Sequence, residues 1–266
     1  MKPVWKWALA SAWSAAILCG GVASAQPANG PTAIKIQRGD ARDLAAVQAA
    51  SVAANQSGPR AIAEHVTALQ AVLDRAPKSF PEFERHGDLL IVRSSRSDDQ
   101  PALVAQAGEP APRILRAEYN TYGYASFLLG SFWNEIHEPA KAVAALDRGL
   151  VLQPRNGLLI GERGAALAAL RRFDDAMASY DPWLAAGIGS PLQRALILRA
   201  RGFALIELNR LDEAEHDYLE SLKLEPCHAG ARHELAYIAG RRTGTEHSSP
   251  SKLLTYDKAK GTCSPV

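Results

Sequence analysis

Two stretches decide the fold: residues 171–180 read RRFDDAMASY, and residues 209–218 read NRLDEAEHDY. In each, a polar turn precedes an apolar residue, an acidic pair, an alanine and, four residues after that alanine, a tyrosine. Such similarity at a fixed spacing is typical of proteins built from stacked structural repeats. The pattern predicts an all-α chain organised around repeated pairs of helices.

Equivalent alanines set the phase of these repeats. Ala176 and Ala214 are 38 residues apart, and the earlier match, Ala142, precedes Ala176 by 34 residues. Because each helical pair leaves an apolar face exposed, the pairs must stack on one another. An array over 113–240 is predicted, with repeats 123–156, 157–190 and 195–228 and a cap helix 229–240.

At these positions the chain resembles the tetratricopeptide repeat family, whose unit is a pair of antiparallel helices. The family's small residue in the first helix corresponds to Gly130, Gly164 and Gly202. Its alanine, aromatic and closing proline correspond to Ala142, Ala176, Ala214, Tyr180, Tyr218, Pro154 and Pro226. Leu146 replaces the first aromatic and Ile188 the second proline. Small residues let two helices approach closely, and an aromatic side chain four residues on lies on the same helical face.

The resemblance also implies which residues face the concave side of such a solenoid. The concave positions are residues two, five, nine and twelve of each unit, together with positions in the cap helix. The site residues at these positions are Tyr124, Phe127, Ser131, Asn134, Arg199, Phe203, Ile206, His233 and Tyr237. The middle unit contributes a floor of small residues. The implied site is an open, mainly apolar groove for an extended peptide or a partner helix. The alternative is that the N-terminal helices fold over this groove and fill it.

Some tetratricopeptide proteins hold a client's C-terminal carboxylate in a clamp of lysine, asparagine and arginine. The corresponding positions here hold Phe127, Ser131 and Glu162, so the clamp is not reproduced. The resemblance therefore favours a client that is bound mainly through apolar contacts.

The N-terminus has the features of a secretory leader. Lys2 and Lys6 precede an apolar run over 7–22, and small residues at 23–25 suit a signal peptidase. A signal peptide over 1–25, cleaved before Gln26, predicts a periplasmic protein. The alternative is an uncleaved leader that anchors the chain, although this run is shorter than the ~20 residues of a spanning helix. Residues 26–39 are predicted to be a flexible linker.

Residues 40–112 predict an N-terminal helical region. Asp40 is a plausible N-cap for a helix over 41–54, and Pro59 suits the start of a second helix that ends near Arg75. The apolar runs 88–93 and 102–105 flank a polar bridge, which is consistent with either a small β-hairpin or a broken helix. Residues 241–266 are predicted to be a C-terminal tail.

Charge and cysteine content limit the function. Without Lys2 and Lys6 the chain has 28 basic and 28 acidic residues, so it lacks the basic surplus that nucleic-acid binding needs. Cys227 and Cys263 would form a disulfide in an oxidising compartment, unless they lie too far apart to meet. His233-Glu234-Leu235-Ala236-Tyr237 begins like a zinc-protease motif but lacks the second histidine, so no metal or cofactor is expected.

These features predict a non-catalytic, exported adaptor or scaffold that binds another protein or a peptide segment. The mature chain is not expected to insert stably into a membrane. The alternative is a structural subunit that packs permanently within an envelope complex.

Overall fold

The computed structural model describes residues 38–95, 97–108, 110–244, 254–257 and 262–265. The predicted signal peptide and residues 26–37 of the predicted linker lie outside the described residues, as does most of the predicted tail. The described chain is mainly helical, which confirms the predicted fold class. None of its helices combines the length and the apolar character needed to cross a membrane.

The N-terminal region begins with two packed helices. Helix α1 (Ala41–Ser57) starts as predicted at Asp40, whose Oδ1 accepts the backbone N–H groups of Arg42 at 2.8 Å and Asp43 at 3.3 Å. Gly58, with φ of 81°, ends the helix. The second predicted helix starts as a 3₁₀ segment (Pro59–His65) and continues as α2 (Val66–Asp74). Both elements pack against the first helix of the array.

A three-stranded sheet follows, and it contains a hairpin whose bounds differ from those considered over 88–105. Strands β1 (Phe83–His86) and β2 (Leu89–Ser94) form an antiparallel hairpin, and β3 (Ile114–Tyr119) pairs with β2 in parallel. The run 102–105, which the hairpin alternative made a strand, lies in helix α3 (Gln100–Gln106), as the broken-helix alternative expected. Leu103 of α3 packs against Leu90 and Val92 of β2. Tertiary packing therefore decides a short apolar run that suits either structure.

In the described part of the chain, six helices then form three antiparallel pairs, and a seventh helix follows them. Their bounds are α4 Thr121–Glu135, α5 Pro139–Leu152, α6 Gly157–Ala169, α7 Phe173–Ala185, α8 Pro191–Glu207, α9 Leu211–Leu224 and α10 Ala229–Thr243. The array helices thus begin after β3 rather than at residue 113. The third pair begins at Pro191 rather than 195. The turns within the pairs contain a left-handed residue, His137, Arg171 or Asn209, with φ of 64°, 58° and 58°.

The phased glycines permit the close packing that was predicted within each pair. An added Cβ at Gly130 would lie 2.5 Å from Leu146, one at Gly164 2.0 Å from Tyr180, and one at Gly202 2.8 Å from Tyr218. Each distance is shorter than a carbon–carbon contact allows. The repeated glycines are therefore required by the close approach of the two helices in each pair.

Trp183 explains why the second unit departs from the family pattern. Its indole lies so close to Gly157 and Gly189 that an added Cβ would come within 2.6 and 2.3 Å. Its Nε1–H also donates to the backbone carbonyl of Arg155 at 2.8 Å. Gly189 adopts φ of 86°, a conformation that side chains disfavour. The longer turn after α7 therefore passes around a large buried side chain.

Two arginines at the same position of successive units connect neighbouring pairs. Arg201 of α8 binds Asp217 of α9 through Nε and Nη2, at 2.6 and 2.7 Å, and binds Asp181 of α7 at 2.9 Å. Arg163 of α6 binds Asp147 of α5 at 2.5 Å and Ser179 of α7 at 2.8 Å. Each arginine therefore joins the second helix of its own pair to that of the preceding pair.

A disulfide ties the C-terminus to the end of the array. Cys227, just before α10, is bonded to Cys263, with their Cα atoms 5.6 Å apart. Cys263 lies in strand β5 (Thr262–Pro265), which pairs antiparallel with β4 (Leu254–Asp257). The predicted disulfide is present, and it holds this two-stranded segment beside the loop between α9 and α10.

Substituting Gly164 with alanine tests the close contact. In an exposed helix the change would stabilise by about 1 kcal/mol, because alanine has the higher helix propensity. Here the added methyl group clashes with the buried Tyr180 ring, so we expect a loss of about 1–3 kcal/mol. Urea unfolding followed by circular dichroism measures the change. A more stable variant would show that α6 and α7 are not tightly packed.

Candidate partner-binding surface

The aromatic residues predicted at the N-terminal end of the groove lie in the core. Tyr124 and Phe127 are stacked with ring centroids 5.4 Å apart, and the edge of Tyr119 contacts Tyr124 at 6.0 Å. The two stacked residues are only 8% and 4% exposed. They belong to one apolar cluster with residues of α1 and α2, including Val47 and Leu69. This corrects the prediction that Tyr124 and Phe127 line an open groove, because the N-terminal helices stack on α4.

Farther along α4, the predicted site residues Ser131 and Asn134 are also buried. The Asn134 amide Nδ2 donates to the Glu162 carboxyl Oε2 at 2.9 Å and to its backbone carbonyl at 3.1 Å. Glu162 itself is 2% exposed. Burial raises the pKa of Glu162 to about 7, although the hydrogen bond from Asn134 opposes the shift. These groups form a buried polar contact between α4 and α6.

Arg199 of α8, predicted as the main charge of the groove, is an internal ion-pair partner. Its Nη1 donates to Glu225 Oε2 at 2.5 Å, and the side chain is 1% exposed. Burial lowers the pKa of Arg199, and Glu225 opposes that shift. Burial and the charge of Arg199 also lower the pKa of His228 to about 4. Arg199 therefore joins α8 to the loop before α10. Ile206, on the same helix, is buried as well.

Three of the predicted residues remain accessible, and together they define the C-terminal face of the array: Phe203 of α8 and His233 and Tyr237 of α10. Phe203 and His233 are half-buried, and Tyr237 is 38% exposed. Helices α8 and α10 are in contact. The guanidinium of Arg241 lies 6.0 Å from the centre of the Tyr237 ring. This face combines aromatic surface with a nearby cation.

Two grooves outside the predicted surface lie among the second helices. One, of ≈ 440 Å³, is lined by Met177, Asp181, Arg201, Leu205, Arg210, Asp212, Glu213, His216 and Asp217. The other, of ≈ 340 Å³, surrounds Trp183 and Pro182 between α5 and α7. Arg163 and Arg201 occupy equivalent positions of successive repeats, and this sequence signal could have indicated the first groove. In the described part of the chain, no group of three or more His, Cys, Asp or Glu side chains is arranged to hold a metal ion.

The phased glycines, the antiparallel pairs and their stacking make this a protein with tetratricopeptide-type helical repeats. The chain matches no family model. RNA polymerase II-associated protein 3 of Rattus norvegicus is 31% identical over 118 residues, covering 44% of this chain and 17% of that protein. The Homo sapiens protein is 31% identical over 112 residues, covering 42% and 16%. The chain thus spans about a sixth of the length of these curated relatives.

Comparison with a solved structure supports the fold. Pseudomonas aeruginosa pilF is 13% identical with a TM-score of 0.52, covering 76% of this chain and 70% of that chain, which is a likeness of fold. The first TPR of Spaghetti (RPAP3), bound to the HSP90 peptide SRMEEVD, is 25% identical with a TM-score of 0.40. That match covers 46% of this chain and 93% of the other.

Replacing Glu162 with glutamine should change how stability depends on pH. Because burial raises the pKa of Glu162 to about 7, the folded chain keeps a proton that the unfolded chain loses near pH 4.5. The stabilisation is therefore fully present below pH 4.5 and is lost as the pH rises to about 7. Neutral glutamine retains an acceptor for Asn134. We expect the variant to be more stable than the parent at pH 8, by about 2–3 kcal/mol.

Denaturant unfolding of both chains at pH 4.5, 6 and 8 measures this difference. Comparing the two chains isolates Glu162 from Glu82, whose pKa burial raises to about 8. Equal pH dependence in the two chains would contradict the assignment.

Proposed function

We propose that this chain is a non-catalytic adaptor or scaffold that binds another protein or a peptide segment through its C-terminal face. The observation that carries the proposal is the accessibility of Phe203, His233 and Tyr237 on two neighbouring first helices, where the corresponding residues of α4 are buried. Aromatic side chains with a nearby arginine are the residues that contribute most to protein interfaces. Stacked helical pairs present such residues on an extended surface.

The chemistry of this face favours an apolar client. Phe127, Ser131 and Glu162, at the positions of the carboxylate clamp, are all buried within the chain and leave no cationic pocket there. Arg199 forms an ion pair with Glu225. Tyr237 and Phe203 instead offer aromatic surface to an apolar segment, such as one face of a partner helix. The absence of a basic surplus argues against nucleic acid.

We further propose that the chain works outside the reducing cytosol, in a bacterial periplasm. Two independent features support this location: the leader pattern in residues 1–25 and the disulfide between Cys227 and Cys263. Disulfides persist mainly in oxidising compartments. The permanent subunit of an envelope complex is the alternative role, and it would share this location.

Substitutions on the C-terminal face test the binding role. A photo-crosslinking residue at position 237 in the native host should capture a discrete partner, which mass spectrometry identifies. With the purified partner, Tyr237→Ala combined with His233→Ala should weaken binding roughly tenfold or more, because an anchoring aromatic is removed. Val151→Ala is the matched control, since Val151 is 79% exposed but lies on a second helix.

Thermal unfolding should show that both variants keep the parent stability. Equal affinity of the double variant and the control would overturn the assignment of this face. A parent chain that aggregates alone and is stable only with its partner would favour the permanent-subunit role.

Export has its own test. Protein recovered from the host after rapid alkylation should begin at Gln26 and carry no modified cysteine, because Cys227 and Cys263 are oxidised. Intact-mass measurement reports both properties. A chain that retains Met1 and has all three cysteines alkylated, Cys19 among them, would contradict export.

A further inference from the structure

The Trp183 groove is the cavity of ≈ 340 Å³ that surrounds Trp183 between α5 and α7. Its floor consists of the buried side chains of Ile160, Trp183 and Ile188. Ala178 and Ala186 lie in its walls and are exposed, and their small side chains leave the groove open to solvent. A concave, mainly apolar surface of this volume is typical of a binding pocket.

Trp183 gives this groove a rigid aromatic surface. Its indole Nε1–H donates to the Arg155 carbonyl at 2.8 Å, and Gly157 and Gly189 pack closely against the ring. Because the hydrogen bond and the packing already fix the side chain, a partner that covers the ring loses little conformational entropy there. Tryptophan is also among the residues that contribute most to protein interfaces.

The backbone of α7 leaves a hydrogen-bond acceptor at the wall of the groove. Pro182 lies inside this helix, and proline has no backbone N–H. The carbonyl of Ala178, four residues earlier, therefore lacks the donor that a regular helix supplies. Ala178 and Pro182 both line the groove, so an N–H group of a bound segment can reach this carbonyl. An extended segment has free N–H groups, whereas those of a helix interior are already bonded.

Arg155 places a positive charge at the edge of the groove. Its side chain is exposed, and among the described residues no carboxylate forms an ion pair with it. Its charge acts on Glu82, but burial raises the pKa of that carboxyl to about 8, so Glu82 is mostly uncharged at pH 7. The charge of Arg155 is therefore available to a carboxylate from another molecule.

We propose that the Trp183 groove binds an extended segment of another protein, which places an apolar side chain on Trp183 and a carboxylate beside Arg155. The backbone of the segment donates a hydrogen bond to the Ala178 carbonyl. A segment with an apolar residue close to an aspartate or glutamate is complementary to the groove in shape and in charge. The site lies in other repeats than the C-terminal face, and it does not depend on the proposed function.

Selection from a displayed library of random seven-residue peptides on the immobilised protein tests the proposal. The enriched peptides should contain an apolar residue within two residues of an aspartate or glutamate, and calorimetric titration of synthetic copies measures their affinity. Ala178→Gln should weaken their binding at least about tenfold, because the larger side chain fills the mouth of the groove. Ala185→Gln, at an exposed position of the same helix outside the groove, is the matched control.

The charge of Arg155 has a separate test. Arg155→Ala should weaken binding about threefold to fivefold, which is the contribution of an exposed ion pair. Arg113→Ala removes the same charge at an exposed position outside the groove and should leave the affinity unchanged. Replacing the acidic residue of the peptide with its amide should weaken binding to the parent by the same factor and should not weaken binding to Arg155→Ala.

Circular dichroism of the four variants should match that of the parent, since each change is at an exposed position. Equal binding by Ala178→Gln and Ala185→Gln would overturn the proposal. Enriched peptides without an acidic residue, or a selection that enriches no sequence, would also overturn it.

Discussion

The structure depends on one close contact inside each helical pair, between a glycine of the first helix and a large side chain of the second. Gly164 and Tyr180 show the constraint at its tightest, because a single added methyl group would overlap the ring. Close approach lets the two helices bury their facing sides completely, and Tyr180 is fully enclosed. Repeating this contact in three pairs produces units of similar shape, which is the condition for regular stacking.

Stacking of the pairs has a polar component as well. Arg201 reaches Asp217 in its own pair and Asp181 in the preceding one, and Arg163 makes the equivalent connection one unit earlier. A guanidinium can serve two acceptors at once because it presents five N–H donors in a fixed plane. These arginines extend from α6 and α8 toward the second helices. Other residues of the first helices therefore form either a binding surface or more of the core.

Whether a first helix contributes a binding surface or more of the core differs along the array. At α4 the N-terminal helices stack like a further pair, and Phe127 and Tyr124 become core residues. At α10, the last helix of the described residues, the disulfide-linked strands lie beside the preceding loop. Tyr237 therefore keeps an accessible ring. A solenoid of similar units thus has a closed N-terminal end and a more open C-terminal end.

The sequence alone determined the helical pairs, their phase and the disulfide partners, because these follow from local periodicity, small-residue spacing and cysteine count. It also placed Asp40 as the cap of the first helix. Only the tertiary structure decided that 102–105 is helical, that β3 pairs with β2, and that Tyr124, Phe127 and Arg199 are buried. A residue's position on its helix defines the direction of its side chain, whereas its exposure depends on which distant segment packs there, and local pattern carries no information about that segment.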